Sequence, residues 1–208
     1  MTIAIIGIGN MGAGLARALV AAGEDVALGA RDPAKAAALA AELGAKAQGG
    51  GIGAAVALAD VVVLAVPYGS FAEILKAAGS LDGKIVVDIS NPVTADFQGL
   101  VVGHTTSAAE ELQKLAPMAK VVKAFNTIFA TLLAVESRNG KSLQTFIAGD
   151  DDAAKAAVSK VAGLIGLEAV DAGPLSNSRF LEPVGEMNIH FGFFLGKGPV
   201  VAPAWINV

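Results

Sequence analysis

The 208-residue chain contains no cysteine, only two histidines and few charged or aromatic residues. The lack of thiols excludes disulfides, thiolate nucleophiles and cysteine-bound metals. His104 and His190 lie far apart and form no paired metal-ligand motif. The chain also lacks a GxSxG motif, so it gives no sign of an acyl-transfer triad. These absences favour a function that needs little side-chain acid–base chemistry.

Charge and hydrophobic patterning narrow the possible partners. Charged residues make up 16% of the chain and the net charge is −4, so we expect no nucleic-acid partner. No basic residue precedes the first apolar run, which disfavours a secretory signal. Asp60 and Pro67 interrupt the longest apolar stretch, so no membrane span is predicted. The resulting expectation is a cytoplasmic protein without a membrane partner.

The first forty residues carry the most informative motif. A short apolar run, Thr2–Ile6, leads into Gly7-Ile8-Gly9-Asn10-Met11-Gly12, and an alanine-rich helical stretch and a second strand follow. In this context GxGxxG is a dinucleotide-binding fingerprint. The first glycine permits a tight turn, the second lets the backbone approach the pyrophosphate, and the third allows close packing of helix on strand. We expect the backbone donors of Asn10 and Met11 to face the phosphates.

The end of the second predicted strand indicates which dinucleotide binds. Ala30 stands where an NAD site would place an acid for the ribose, and Arg31 follows at once. Lys35 lies one helical turn further on, so both cations can reach a 2′-phosphate. The sequence therefore predicts NADP(H). The alternatives are a solvated basic pair, or Asp32 binding a ribose hydroxyl.

Strands and helices alternate along the whole chain, and this pattern is typical of a parallel sheet with helices on both faces. The predicted strands are Thr2–Ile8, Asp25–Ala30, Ala45–Gln48, Val61–Ala65, Ile85–Asp88, Val121–Lys123, Gln144–Ala148 and Glu168–Val170. The predicted helices are Met11–Ala22, Pro33–Leu43, Ile52–Leu58, Phe71–Ala78, Ser107–Leu115, Ile128–Leu133, Asp152–Ile165 and Arg179–Phe194. Gly49–Gly51 is expected to be a turn or flexible loop. The predicted fold is α/β, a Rossmann-type doubly wound, mostly parallel sheet over residues 1–172, with a small C-terminal appendage over 173–208.

Three further strand ends are expected to flank the cofactor, because ligands bind at the carboxyl ends of parallel strands. Val66, Pro67 and Tyr68 follow the fourth strand, and Tyr68 either stacks on the cofactor or covers the loop. Asn91 follows the fifth strand and Asn126 the sixth, where each is either a nicotinamide neighbour or part of a turn.

With these pieces placed, the chain resembles the NADPH:deazaflavin (coenzyme factor 420) oxidoreductases. The resemblance rests on the motifs already quoted and on three later runs: Val122–Ile128, Ala148–Asp152 and Asp171–Arg179. It implies hydride exchange between NADP(H) and a deazaflavin second substrate, with no catalytic side chain and no metal. It also implies that Ile128 forms part of the wall around the nicotinamide, that the Ala130 backbone bonds the nicotinamide amide, and that residues 173–208 help shape the acceptor pocket.

The sequence leaves other interpretations of the function open. The cytosolic domains of the six-span metalloreductases are similar too, and the acceptor could be a flavin, a quinone or a metal chelate. The chain could instead be a non-catalytic NADP(H)-binding redox sensor. The start is also similar to β-hydroxyacid dehydrogenases and imine reductases, but residues 173–208 are too few for their helical second domain. The apolar C-terminal segment predicts a homodimer.

Overall fold

A computed structural model describes residues 1–208 and contains one eight-stranded sheet. Its strand order is β3-β2-β1-β4-β5-β6-β7-β8. The strands are β1 (Ile3–Ile6), β2 (Val26–Ala30), β3 (Ala47–Gly51), β4 (Val61–Leu64), β5 (Ile85–Asp88), β6 (Lys120–Lys123), β7 (Leu143–Gly149) and β8 (Leu167–Asp171). All neighbours pair in parallel except β6 and β7, which are antiparallel. The doubly wound, mostly parallel prediction is confirmed.

Seven α-helices cover the two faces of this sheet. They are α1 (Asn10–Ala21), α2 (Pro33–Leu43), α3 (Ile52–Ala57), α4 (Phe71–Ala78), α5 (Ala108–Leu115), α6 (Asp152–Leu164) and α7 (Ser178–Ile189). Helices α1, α2 and α6 pack on one face, and α3, α4 and α5 pack on the other. Successive strand residues alternate between the faces, so Ile5 joins the first core and Ile6 the second. Both faces are therefore dry, as the low content of charge predicts.

The glycine run Gly49–Gly51 is not a loop, and that prediction was wrong. These residues form the end of β3, at the sheet edge. A Cβ built on Gly49 would lie only 2.1 Å from the Ala36 carbonyl oxygen of α2. Glycine is therefore needed here for the close approach of helix and strand, and not for flexibility.

The predicted helix Ile128–Leu133 was also wrong, because only a short 3-10 turn, Ala130–Leu132, forms there. The buried Arg138 side chain donates from Nε to the Leu132 carbonyl at 2.8 Å and from Nη2 to the Leu133 carbonyl at 2.8 Å. Phe129 is extended, with φ −72° and ψ 145°, so no helix runs through residues 128–133. The Arg138 contact is local in sequence, from the turn that follows directly.

The C-terminal segment packs against the sheet from one side. Helix α7 continues into a π-helical turn, His190–Phe194, and the chain after it has no regular structure. The Trp205 backbone is hydrogen-bonded at both its N–H and its carbonyl to the Gln144 side chain on β7. No helix in the molecule has the length and apolar character needed to span a bilayer.

Candidate nucleotide-binding site

The turn after β1 has the backbone geometry that the glycine fingerprint requires. Gly7 has a φ of +97°, and a Cβ there would lie 2.3 Å from the Ala65 carbonyl oxygen. A Cβ on Gly12 would lie 1.9 Å from the Gly7 carbonyl oxygen. Both positions therefore exclude any side chain, and α1 starts in direct contact with the end of β1.

The N-terminus of α1 is built to receive an anion. Its N-cap is Gly9, so no side chain accepts a hydrogen bond from the first turn, and that turn contains no acidic residue. A Cβ on Gly9 would meet no atom within 4 Å, which leaves the approach to the turn open. The first backbone N–H groups of a helix lack internal partners, and the dipole favours negative charge at this end. These features fit a pyrophosphate.

A cavity of about 390 Å³ extends from this turn to the end of β2. Its lining includes six of the predicted cofactor residues, namely Gly7, Gly9, Arg31, Lys35, Val66 and Pro67. The Arg31 side chain is 74% exposed, and its Nη1 atom lies 3.8 Å from an exposed Glu73 carboxylate oxygen. Such a surface contact is weak, so the guanidinium is free to bind a ligand.

Asp32 lines the same cavity, and its carboxylate is engaged at the start of α2. Its Oδ1 atom accepts a hydrogen bond from the Ala34 backbone at 3.0 Å and caps α2, with Pro33 in the first helical turn. The carboxylate is thus used by the helix start, while Arg31 and Lys35 point two positive charges toward the same cavity. This charge arrangement fits a 2′-phosphate better than a free ribose diol.

Eight predicted residues do not line this cavity: Asn10, Met11, Gly12, Tyr68, Asn91, Asn126, Ile128 and Ala130. Tyr68 packs edge-to-face on Phe71 with ring centroids 5.6 Å apart. Ile128 is a core residue, only 5% exposed. Ala130 instead lines a larger, mostly apolar cleft of about 620 Å³ that shares no residue with the nucleotide cavity. Their contacts with a cofactor stay predictions.

The two asparagines bind each other. Asn91 Nδ2 donates to the Asn126 carbonyl at 2.8 Å, and Asn126 Nδ2 donates to Asn91 Oδ1 at 2.9 Å. Asn126 Nδ2 also donates to the Leu181 carbonyl of α7 at 2.9 Å. Both N–H bonds of the Asn126 amide are therefore occupied within the protein.

A buried ion cluster beneath these asparagines was missed by the sequence analysis. Lys123 Nζ lies 2.8 Å from Asp88 Oδ2, 2.8 Å from Glu182 Oε1 and 2.6 Å from the Ser90 carbonyl oxygen. All three charged side chains are at most 1% exposed. Asp88 and Lys123 stand side by side in the register of β5 and β6, and a charge at the end of each apolar strand was the available signal. For Glu182, on α7, the sequence contains no comparable signal.

Glu182 also joins α7 to α5. Its carboxylate accepts hydrogen bonds from the backbone N–H groups of Ala108 at 3.0 Å and Ala109 at 3.3 Å, at the N-terminus of α5. Burial raises the pKa of the Glu182 carboxyl above its usual range, and the charge of Lys123 offsets this only in part. The cluster therefore holds two strands and two helices together in a dry environment.

The fold and this site define a dinucleotide-binding protein of the Rossmann type. The model of the family "NADP oxidoreductase coenzyme F420-dependent" matches residues 2–92. The F420-dependent NADP reductase of Methanothermobacter marburgensis is 30% identical over 206 residues, which cover 91% of this chain and 92% of that protein. The chain belongs to this family of NADP-dependent oxidoreductases.

Two further comparisons describe the range of its relatives. A solved structure from Arthrobacter sp. FB24, assigned as an F420-dependent NADP reductase, superposes with a TM-score of 0.84 at 33% identity, over 93% of this chain and 94% of that one. Metalloreductase STEAP3 of Rattus norvegicus is 36% identical over 182 residues, or 88% of this chain. The match spans only 36% of STEAP3, so about a third of that protein corresponds to this chain.

Proposed function

We propose that this protein transfers hydride between NADP(H) and a deazaflavin of the coenzyme F420 type. The observation that carries the proposal is the cavity that joins the glycine turn at Gly7 and Gly9 to the paired cations Arg31 and Lys35. The names of the relatives that this chain matches along nearly their full length support the acceptor.

The roles of the residues follow from their positions. The N-terminus of α1 holds the pyrophosphate, and Arg31 with Lys35 holds the 2′-phosphate. Val66 and Pro67 lie along the cofactor at the end of β4, and residues 173–208 close the acceptor side. Bound NADPH supplies the hydride, and the protein contributes orientation and exclusion of water. The proton that the reduced acceptor takes up comes from solvent.

A steady-state assay with NADPH and a set of acceptors tests this function. We expect reduction of a deazaflavin to proceed with a much higher kcat/KM than reduction of free FMN or FAD, measured by loss of absorbance at 340 nm and of the deazaflavin band. Deazaflavin turnover no better than that of free flavin would reject the acceptor.

A second candidate function has one specific observation in its favour. The identity with STEAP3, 36%, exceeds the identity with the methanogen reductase, 30%. An NADPH-dependent reductase of a flavin or a metal chelate is therefore the alternative. In the same assay it would show turnover of flavin, or of ferric chelate in the presence of flavin, with little reduction of deazaflavin.

We also propose that the protein is a homodimer that pairs through α7. The side chains of Phe180, Val184 and Met187 are spaced by four and three residues along one side of α7, and Phe191 follows in the π-helical turn. Phe180 is 69% exposed and Met187 is 49% exposed. Apolar residues with this spacing form a continuous seam that fits a second helix. A second copy of α7 offers the matching seam.

A further inference from the structure

Helix α7 is attached to the loops that follow β5 and β6 by contacts at three successive turns. Its Leu181 carbonyl accepts a hydrogen bond from Asn126, and its Asn188 Nδ2 donates to the Thr127 carbonyl at 3.1 Å. Between these two contacts, Gly185 lies against Asn91, where an added Cβ would be 2.3 Å from Asn91 Oδ1. The helix thus rests directly on the carboxyl edge of the sheet.

The Asn91–Asn126 pair makes the two loops a single unit under the helix. Each amide bonds the other residue, at 2.8 Å and 2.9 Å, so neither loop can shift without breaking both bonds. Asn126 is only 7% exposed, and its donors face Asn91 and α7. These amide donors are thus placed to fix the loops, while Asn126 Oδ1 is buried without a hydrogen-bond partner.

The buried ion cluster ties the same elements together one layer below. Lys123 comes from the end of β6, Asp88 from the end of β5 and Glu182 from α7. The Ser90 carbonyl, next to Asn91, is its third acceptor. A polar network with satisfied charges in a dry core fixes the relative position of the elements that contribute to it.

The backbone at Phe125 carries a strained conformation at the same place. Phe125 is 1% exposed and has a φ of +60°, which an aromatic residue rarely adopts. Its N–H donates to Thr145 Oγ1 at 3.0 Å. Such strain persists only where the surroundings enforce it, and it is concentrated at functional sites. Here it turns the chain so that Asn126 meets Asn91 and α7.

We propose that α7 is the positioning element of the hydride-transfer site, with Gly185, Asn91 and Asn126 as positioning residues. The inference rests on the proposed function. The loops after β5 and β6 end at the edge where the nicotinamide is expected, and α7 bounds the acceptor side. Because α7 and both loops form one rigid unit, the unit sets the separation of donor and acceptor, and the rate of hydride transfer depends steeply on that separation.

The sharpest test replaces Gly185 with alanine. The added methyl group overlaps the Asn91 side-chain amide, so either α7 or that amide must move, and the contact between them changes without any change of charge. The matched control is Gly163→Ala in α6, where a Cβ meets no atom within 4 Å. We expect Gly185→Ala to lower kcat by about ten- to a hundredfold and to raise the kinetic isotope effect with 4-deuterated NADPH. The control should keep the wild-type kcat.

Binding measurements separate positioning from general damage. The dissociation constant for NADPH should change by less than about twofold in Gly185→Ala, because no residue of α7 lines the nucleotide cavity. The fluorescence of bound NADPH, which reports the surroundings of the nicotinamide, should change in this variant and not in Gly163→Ala. Hydrogen exchange in residues 125–130 should become faster.

A second variant keeps the test decisive if Gly185→Ala folds poorly. Asn188→Ala removes only the hydrogen bond to the Thr127 carbonyl, and we expect a smaller loss of kcat in the same direction. Unchanged kcat and isotope effect in the folded variants, with lowered thermal stability alone, would overturn the positioning role. If the wild-type protein reduced no acceptor at all, the proposed function itself would fail, and this role with it.

Discussion

A single guanidinium is expected to carry much of the selectivity between NADPH and NADH. We predict that Arg31→Ala weakens NADPH binding by about ten- to a hundredfold, since losing a charge-assisted bond costs about 1.5–3 kcal/mol. NADH binding should change little, because NADH lacks the 2′-phosphate. Isothermal titration calorimetry with both nucleotides measures the difference.

The control for this variant is Arg17→Ala. Arg17 is half exposed on α1 and pairs with Glu42 at 2.9 Å, and it does not line the nucleotide cavity. Its replacement should leave both affinities unchanged. Equal losses of NADPH and NADH affinity in Arg31→Ala would show that the arginine does not read the 2′-phosphate.

Individual residues also show which parts of the site could be predicted from the sequence and which could not. Gly7, Gly12 and Arg31 follow from local pattern, because each acts within a few residues of the β1–α1 turn or the end of β2. Asp88 and Lys123 stand on adjacent strands, so their pairing could have been inferred from the sheet order. Glu182 could not, since nothing local marks that carboxylate for burial beside a lysine of a distant strand.

At the scale of elements, variants of the β3 glycines test whether glycine is needed there for close packing or for flexibility. We predict that Gly49→Ala lowers the free energy of unfolding by about 1–3 kcal/mol, because the new methyl group overlaps the Ala36 carbonyl of α2. Gly50→Ala in the same strand, where a Cβ meets no atom within 4 Å, should stay within about 0.5 kcal/mol of wild type. Chemical denaturation measures both. Equal stabilities for the two variants would contradict the packing argument.

Two elements show why local patterns failed. Glycine runs usually mark turns, but Gly49–Gly51 pair with β2, and the close approach of α2 leaves no room for a Cβ at Gly49. In residues 128–133, Ile128, Phe129 and Thr131 are weak helix formers, and Phe129 is extended. At Gly49 a tertiary contact outweighs the turn propensity of glycine, whereas in residues 128–133 the local composition already disfavours a helix.

At the scale of the whole molecule, the seam on α7 predicts the oligomeric state. We expect the wild-type protein to elute as a dimer in light scattering coupled to size-exclusion chromatography, and Met187→Glu to shift it toward monomer by burying a charge in the seam. Met118→Glu makes the same chemical change at a methionine that is 67% exposed elsewhere. The Met118→Glu variant should therefore remain dimeric. A wild-type monomer, or an equal effect of both variants, would refute pairing through α7.

The overall architecture was predictable because the alternation of strands and helices is a property of the whole chain. The antiparallel pairing of β6 and β7 was not specified, since the pattern along a buried strand carries no information on its direction. The docking of α7 on the strand ends also depends on partners far apart in sequence, such as Asn188 and Thr127.

Direct hydride transfer from NADPH to a deazaflavin is the reaction that we propose for this protein. The most direct measurement is a single turnover with NADPH deuterated at C4, prepared separately in each of the two stereochemical forms, followed by mass spectrometry of the reduced deazaflavin. We predict that one stereochemical form of the labelled NADPH transfers its deuterium to the deazaflavin, while the other form transfers hydrogen. Deazaflavin reduced without deuterium from either form, or no reduction at all by bound NADPH, would contradict it.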